Sequence, residues 1–166
     1  MSGSCGSDGS GLRRLTPNAI RAAHPAWSPD GKRIVFVGSP ADHDFAFDLY
    51  VMRADGSGLR RLVKLPGGAE APDWSPDGRT IVFAQFDSRT LVSDIYAVGT
   101  NGRGLRRLTR TPGDDTSPDW SPDGRLIASG GMDDVLRLGP EAEVGGEMRA
   151  SLSAWLSRSR GSWASG

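Results

Sequence analysis

The stretch Trp74-Ser75-Pro76-Asp77-Gly78 occurs three times in the chain, with its other copies at residues 27–31 and 120–124. Neighbouring copies are 47 and 46 residues apart. An internal period of this length is typical of propellers and solenoids, in which each repeat is one supersecondary unit. Each copy is also a turn signal, because proline presets the backbone angle at the second position and glycine suits the fourth position of a type I turn. Each copy is therefore predicted to join two strands.

Further strand and turn signals follow the motif in a fixed order. In the second copy, a continuous apolar run at Ile81–Ala84 predicts a strand that is buried on both faces. A second strand is predicted at Ile95–Val98, and Asn101-Gly102 after it is a strong hairpin signal. A last strand is predicted at Gly104–Leu108. The first copy repeats this order, so each period is predicted to hold four short antiparallel strands.

This order of signals resembles the WD-like repeat of TolB-type β-propellers, and the resemblance covers residues 7 to 138. It implies a β-propeller, which in that family usually has about six blades, within the range of closed propellers. It also implies a use as a binding platform, or as the propeller that gates prolyl oligopeptidase-type peptidases. The chain is long enough for only about three and a half blades at this period. The expected fold is therefore all-β, a partial propeller of about three to four four-stranded antiparallel blades.

The repeats divide the chain into predicted segments. Residues 1–10 form a flexible N-terminus, and the repeats span 11–138. Within them we expect a half blade at 8–16, blades at 24–63 and 71–109, and a partial blade at 117–138.

Residues 139–166 form a degenerate tail in which the repeat is lost. Met148, Leu152, Trp155 and Leu156 share one helical face, which favours a short C-terminal helix at 147–157. Disorder and a fourth strand are the alternatives.

An open array of blades leaves an apolar blade face bare at each end, and covering such faces is favourable. Three outcomes are open. Two copies could form a head-to-tail homodimer, the predicted helix could cap one end, or the chain is a truncated product.

Composition limits the classes of partner. The chain has 20 basic and 20 acidic residues, so no global field attracts it to nucleic acid or to a membrane surface. The single cysteine, Cys5, excludes an internal disulfide framework and a cysteine-rich metal site. Residues 1–10 lack the pattern of a secretory signal, which predicts a cytoplasmic protein. A periplasmic or extracellular location is expected instead if the chain is a fragment of a longer secreted protein.

Catalytic signatures are absent from the sequence. It has no Gly-x-Ser-x-Gly elbow, no phosphate-binding Walker loop and no His-Glu-x-x-His motif. We therefore expect neither catalytic residues nor a cofactor. The leading hypothesis is a non-catalytic TolB-like propeller that binds a protein or acts as a scaffold. The alternatives are an accessory propeller separated from a prolyl oligopeptidase-type hydrolase, and a truncated remnant without function.

Repetition separates structural positions from variable ones. Positions that recur in every copy are predicted to be structural, and the tryptophans are predicted to pack between blades. These positions are Trp27, Pro29, Asp30, Gly31, Trp74, Pro76, Asp77, Gly78, Trp120, Pro122, Asp123 and Gly124.

The loops that differ between copies should emerge together on the other side from the repeating turns, and loops on a rigid scaffold are typical recognition sites. The candidate partner-binding residues are Asp42, His43, Asp44, Phe45, Phe47, Phe86, Asp87 and Arg89. Asp42, Asp44 and Asp48 also suggest a calcium site, but their spacing lacks the order of a calcium loop, so we expect no metal.

Arginine pairs stand on the predicted outer strands, at 13–14, 60–61 and 106–107. They indicate a basic band around the rim. Phosphate binding is one interpretation, and protection against edge-to-edge pairing is the favoured one.

Overall fold

The computed structural model describes residues 10–42, 47–131 and 137–140 of the chain. Cys5, most of the predicted flexible N-terminus and the predicted helix at 147–157 lie outside these residues. The described residues form three antiparallel sheets, which follow one another along the chain. This arrangement confirms an all-β, partial β-propeller.

We name the three sheets blades 1, 2 and 3, in chain order. Blade 1 contains β1 (Ile20–Trp27), β2 (Arg33–Pro40), β3 (Asp48–Arg53) and β4 (Arg60–Val63). Blade 2 contains β5 (Ala69–Trp74), β6 (Thr80–Asp87), β7 (Val92–Gly99) and β8 (Arg106–Arg107). Blade 3 contains β9 (Thr116–Trp120), β10 (Leu126–Gly130) and β11 (Arg137–Pro140). None of the described residues form a helix long and apolar enough to cross a membrane.

The first strand of each blade starts before the predicted boundary. β1 begins at Ile20 rather than at residue 24, and β5 and β9 also start slightly early. β1 is mostly exposed and shows no apolar alternation, so the sequence carries little signal for it. Each of these strands has one residue with a positive φ at an equivalent place: His24, Ala71 and Ser117. The pairing register shifts beside each of them, which indicates a β-bulge.

The core lies between the blades. Because successive side chains of a strand point to opposite faces, β6 contributes to two interfaces. Ile81 and Phe83 pack with residues of blade 1, whereas Val82 and Ala84 pack with residues of blade 3. All four side chains are essentially inaccessible to solvent. The prediction that this apolar run is buried on both faces is thus confirmed.

The repeated motif forms the predicted turn, and its serine fixes it. In blade 2, the Gly78 amide donates to the Ser75 carbonyl over 2.8 Å, and the Ser75 hydroxyl donates to Asp77 Oδ1 over 2.6 Å. The same hydroxyl accepts a hydrogen bond from the Thr80 amide. The Ser75 hydroxyl and then the Arg79 amide hold the pKa of Asp77 below its usual value. The other two copies repeat these hydrogen bonds.

The three repeated tryptophans are not equivalent in the structure. Trp74 and Trp120 are only 4% and 6% exposed and pack between blades, as predicted. Trp27 is 60% exposed, so the prediction that it packs between blades is wrong. Trp74 and Trp120 each pack against the blade that precedes their own, and the described residues include no blade before blade 1 for Trp27 to contact.

The half blade predicted at 8–16 does not contain a strand in its described part. Leu12–Leu15 has no regular structure, because a strand needs a paired neighbour and the described residues include no strand before it. The segment nevertheless lies where an outer strand would lie. Leu62 of the outer strand β4 lies with its carbonyl oxygen against Gly102, in the turn of the next blade. Leu15 is placed in the same way: a methyl group at Gly56 would lie 3.4 Å from the Leu15 carbonyl oxygen.

Candidate functional site

The variable loops of the described residues lie on one side of the blades, which we name the loop face. The loop at 64–68 between β4 and β5 connects two neighbouring blades there. The Ala69 amide donates to the Phe47 carbonyl over 2.8 Å, and the Phe86 amide donates to the Gly68 carbonyl over 3.2 Å. A methyl group at Gly67 would overlap the Phe86 carbonyl oxygen, so the loop is in direct backbone contact with β6. Backbone hydrogen bonds therefore hold the loop face together across the first two blades.

The candidate residues of the β2–β3 loop have different environments. Asp42 is exposed in a turn at the end of β2. His43, Asp44 and Phe45 lie outside the described residues. Phe47 is half-buried and packs against the core between blades 1 and 2. Only part of this residue is therefore accessible to a partner.

The candidate residues of the β6–β7 loop lie together. Asp87 Oδ1 accepts a hydrogen bond from the Arg89 amide over 2.8 Å, and the Asp87 carbonyl accepts one from the Leu91 amide over 2.8 Å. Phe86 and Asp87 are half-buried, whereas Arg89 is exposed. The tight turn thus presents Arg89 to solvent at the end of a rigid hairpin.

Leu91 is a residue of the loop face that the sequence analysis missed. The residue is 70% exposed and its φ is +58°, a conformation that is uncommon for a residue other than glycine. In the sequence it reads as the start of an apolar strand, and nothing local signals its backbone conformation. An exposed leucine fixed in this way beside an exposed arginine can offer a partner one apolar and one charged contact.

The loop between blades 2 and 3 is held by carboxylates. The Ser93 amide donates to Asp114 Oδ1 over 2.6 Å, and the Ser93 carbonyl accepts from the Asp115 amide over 2.7 Å. Asp115 is fully buried, and the Thr111 hydroxyl donates to its Oδ2 over 2.8 Å. Its equivalent in the preceding repeat is the buried Ala69, whose amide donates to the Phe47 carbonyl in the same way. The backbone hydrogen bond is thus the same in both repeats, but the buried side chain is a carboxylate in one and a methyl group in the other.

The arginine pairs have specific partners inside the propeller. Arg61 forms a 3.1 Å salt bridge with the buried Asp48, whose other oxygen accepts the Leu65 amide over 2.7 Å. One repeat later, Arg107 and Asp94 approach to 2.6 Å. Burial raises the pKa of Asp94, and the Arg107 guanidinium opposes this effect.

The first arginine of each of two pairs reaches the turn of the next blade. Arg60 donates to the Thr100 carbonyl over 2.9 Å, and Arg13 donates to the Asp55 carbonyl over 3.1 Å. The pairs therefore form contacts within and between blades, in addition to the role in preventing edge-to-edge pairing that the sequence predicts for them. Both carboxylate oxygens of Asp48 already bind protein donors, so Asp48 is not free to act as a calcium ligand.

Asp73 connects blade 2 to blade 3. Its Oδ2 accepts a hydrogen bond from the Trp120 amide over 3.0 Å. Burial raises the pKa of Asp73, and the nearby Asp119 carboxylate adds to the effect. Among the described residues, no group of three or more His, Cys, Asp or Glu side chains is placed to hold a metal ion.

Comparisons with known proteins agree with this architecture. No protein-family model and no curated protein matches the sequence. Among solved structures, the chain is similar to the putative TolB from Agrobacterium tumefaciens, with 32% identity and a TM-score of 0.63 over 75% of this chain and 46% of that one. It is also similar to TolB from Acinetobacter baumannii, with 22% identity and a TM-score of 0.63 over 79% of this chain and 35% of that one.

A third similar structure is the β-propeller domain of the Trilobed protease from Pyrococcus furiosus, which is described as having an open velcro topology. It has 18% identity and a TM-score of 0.61 over 76% of this chain and 41% of that one. The last two similarities, at low identity, show the fold alone. The chain spans less than half the length of each of these three proteins. The chain therefore has a TolB-like β-propeller fold.

Proposed function

We propose that this chain is a non-catalytic TolB-like propeller segment that binds a protein partner through its loop face. The observation that supports this proposal best is Leu91, a leucine that is 70% exposed at the tip of a continuously paired hairpin. A partner that buries this exposed apolar side chain gains its hydrophobic transfer free energy.

The hairpin that carries Leu91 is well ordered for binding. β6 and β7 pair without interruption from Thr80 opposite Gly99 to Asp87 opposite Val92. Both strands are buried along most of their length, and the loop at 64–68 supports the end of β6. A preordered loop loses little conformational entropy on binding, so most of the contact energy is retained.

The expected contribution of this anchor can be estimated. Complete burial of an exposed leucine is worth about 1.5–3 kcal/mol. Truncation of Leu91 to alanine should therefore weaken binding by about 10- to 100-fold, because about 1.4 kcal/mol corresponds to a factor of ten. Arg89 is expected to contribute less, since an exposed charge at an interface rim acts more on the association rate.

The test has two steps. A photoreactive amino acid is placed at position 91, and in a control at Leu105, which is 42% exposed on the opposite, repeating-turn side. Proteins crosslinked in the cell of origin from position 91 and not from 105 are identified and purified. Affinity is then measured by calorimetry for Leu91→Ala and Leu105→Ala. Equal crosslinking from both positions, or unchanged affinity of Leu91→Ala, would contradict the proposal.

A second candidate function is suggested by the similarity to a protease propeller. In this case the chain would be an accessory propeller of a prolyl oligopeptidase-type hydrolase whose catalytic part is encoded separately. A neighbouring reading frame with a Gly-x-Ser-x-Gly hydrolase, whose product co-purifies with this chain and gains peptidase selectivity from it, would support this function. Absence of such a frame would leave the binding module as the preferred proposal.

A further inference from the structure

The loop end of blade 2 buries two oxygen atoms that have no donor within the described part of the chain. Gln85 Oε1 and Asp94 Oδ1 are both inaccessible to solvent and without a hydrogen-bond partner there. Gln85 is 8% exposed and Asp94 is 2% exposed. The two residues are directly opposite each other in β6 and β7, so their side chains lie side by side on one face of the blade. Buried acceptors that stay unsatisfied destabilise a fold, so this pair requires a donor.

The equivalent position of blade 1 shows how the same carboxylate is satisfied without an additional donor. Asp48 corresponds to Asp94, and its Oδ2 accepts from Arg61 over 3.1 Å. Its Oδ1 accepts from the Leu65 amide over 2.7 Å. The residue opposite Asp48 is Gly38, which has no side chain to add a further acceptor. Both oxygens of this carboxylate thus have donors from the protein.

Blade 2 keeps only half of this arrangement. Arg107 lies 2.6 Å from Asp94 Oδ2, as Arg61 lies beside Asp48. The other oxygen of Asp94 faces the Gln85 side of the strand pair and lacks the backbone donor that blade 1 provides. A proton on Asp94 Oδ1 satisfies both buried oxygens at once, because a carboxylic acid donates one hydrogen bond and its second oxygen still accepts from arginine.

The charged groups around Asp94 favour this neutral form. Burial has the largest effect and raises the pKa of Asp94, whereas Arg107 of β8 lowers it. The carboxylates of Asp115, in the loop between β8 and β9, and of Asp87, on β6, raise the pKa further. The neighbouring loops also carry Lys64 and Arg110, which are exposed, and Asp114, whose Oδ1 accepts from the Ser93 amide. The buried carboxyl group is therefore surrounded by more negative than positive groups that act on it.

We propose that Asp94 is protonated in the folded chain and donates to Gln85 Oε1, and that this hydrogen bond makes the loop end of blade 2 sensitive to pH. Ionisation releases the proton to solvent and leaves two acceptors facing each other. Because the folded state raises the pKa, the stabilisation is complete below pH 3.8 and is lost as the pH rises through the folded-state pKa. The pair lies beside the hairpin tip that carries Leu91, so its ionisation loosens the loop face. This inference does not depend on which partner binds there.

The first measurement uses the unchanged chain. The side-chain carboxyl carbons of aspartate are labelled with carbon-13 and followed by nuclear magnetic resonance during a pH titration, and the Asp94 signal is identified by its loss in Asp94→Asn. We expect a titration midpoint above the ordinary value of 3.8. A midpoint at or below this value would overturn the proposal, and it would indicate that the Gln85 amide group donates from its NH2 to an ionised Asp94.

The second measurement compares two matched substitutions by urea unfolding between pH 3 and pH 7. Asp94→Asn mimics the protonated acid, because its NH2 donates to Gln85 and its oxygen accepts from Arg107. Relative to the unchanged chain, its unfolding equilibrium constant should fall with rising pH, by about tenfold for each unit by which the pKa of Asp94 is raised. Asp48→Asn is the control, since both Asp48 oxygens face donors, and it should raise the unfolding constant at pH 7 by at least about tenfold. A ratio for Asp94→Asn that does not change with pH, or equal destabilisation by both substitutions, would refute the protonated pair.

Hydrogen exchange tests the effect on the loop face. The Leu91 amide donates to the Asp87 carbonyl at the hairpin tip, so its exchange reports the order of this end. At pH 7 it should exchange more slowly in Asp94→Asn than in the unchanged chain. Equal exchange in the two proteins at pH 7 would show that the pair does not control the loop face and would overturn that part of the proposal.

Discussion

The two buried tryptophans differ in one hydrogen bond, and this difference gives the sharpest test of the structure. Trp74 Nε1 donates to the Ala26 carbonyl, whereas Trp120 Nε1 is buried and finds no acceptor within the described part of the chain. Replacement of each tryptophan by phenylalanine removes the same atoms at two equivalent sites. Trp74→Phe loses a hydrogen bond worth about 0.5–1.5 kcal/mol. Trp120→Phe removes an unsatisfied donor whose burial costs about 1–3 kcal/mol.

We therefore expect Trp120→Phe to be more stable than Trp74→Phe by about 1.5–4.5 kcal/mol, because the loss of ring volume is similar at both sites and largely cancels. The Arg33 contact acts in the same direction, since phenylalanine is a weaker cation–π partner than tryptophan. The assay is urea unfolding at pH 7 followed by circular dichroism, at one protein concentration for both variants. Equal m-values are required, so that the midpoints can be compared as free energies. If Trp120→Phe is as destabilised as Trp74→Phe, the assignment of the hydrogen bonds to the two indoles is refuted.

Three further predictions concern the supporting contacts. The folded state raises the pKa of Asp73, so the stabilisation that its protonated form gives the fold is complete below pH 3.8 and is lost as the pH rises through the folded-state pKa. Asn cannot ionise, so the free energy of unfolding of Asp73→Asn should rise relative to that of the unchanged chain between pH 3 and pH 7, as measured by urea titrations. Gly67→Ala should destabilise by at least about 2 kcal/mol, because its methyl group would meet the β6 backbone, while Gly130→Ala, which meets nothing within 4 Å, should be nearly neutral in thermal melts. Arg61→Met should lower the free energy of unfolding by about 2–4 kcal/mol, because Arg61 neutralises the buried carboxylate of Asp48. Arg60→Met should lower it by less than about 1 kcal/mol, because Arg60 only donates to a backbone carbonyl. Equal denaturant midpoints for the two variants would contradict this distinction.

The local chemistry of the repeat made much of the fold predictable. The turn from Ser75 to Gly78 is stabilised by contacts among its own residues, so its sequence is enough to predict it. The apolar run at Ile81–Ala84 is buried on both faces, as its lack of alternation indicates. The exposed state of Trp27 was not predictable from its motif, because its environment depends on a neighbouring blade. The partners of the arginine pairs were also missed. Asp48 is 13 residues from Arg61, and only the strand pairing brings the two together.

The candidate site was predictable as a region but not as a set of contacts. Variation between repeats identified the loops, yet it did not indicate that Phe47 contributes to the core or that Leu91 is exposed. The reason is that a loop residue's exposure depends on its backbone conformation and on the neighbouring loop. The positive φ of Leu91 and the contact of Gly67 with Phe86 are both consequences of the folded backbone.

The two ends of each blade are under different constraints, and this asymmetry supports the proposal that a partner binds at the loop face. At the turn end, Ser75 and Asp77 make the same hydrogen bonds in all three copies, so that end is fixed by the fold. At the loop end, equivalent positions differ even inside the blades. Gly38 leaves room for the ring of Tyr50, whereas its equivalent in blade 2 is the buried Gln85, paired across the strands with Asp94. Buried polar groups cost stability unless they are satisfied, so packing alone gives no reason to place them there. A partner that contacts the loop ends would provide a reason, and it would select for differences between blades that the fold itself does not need.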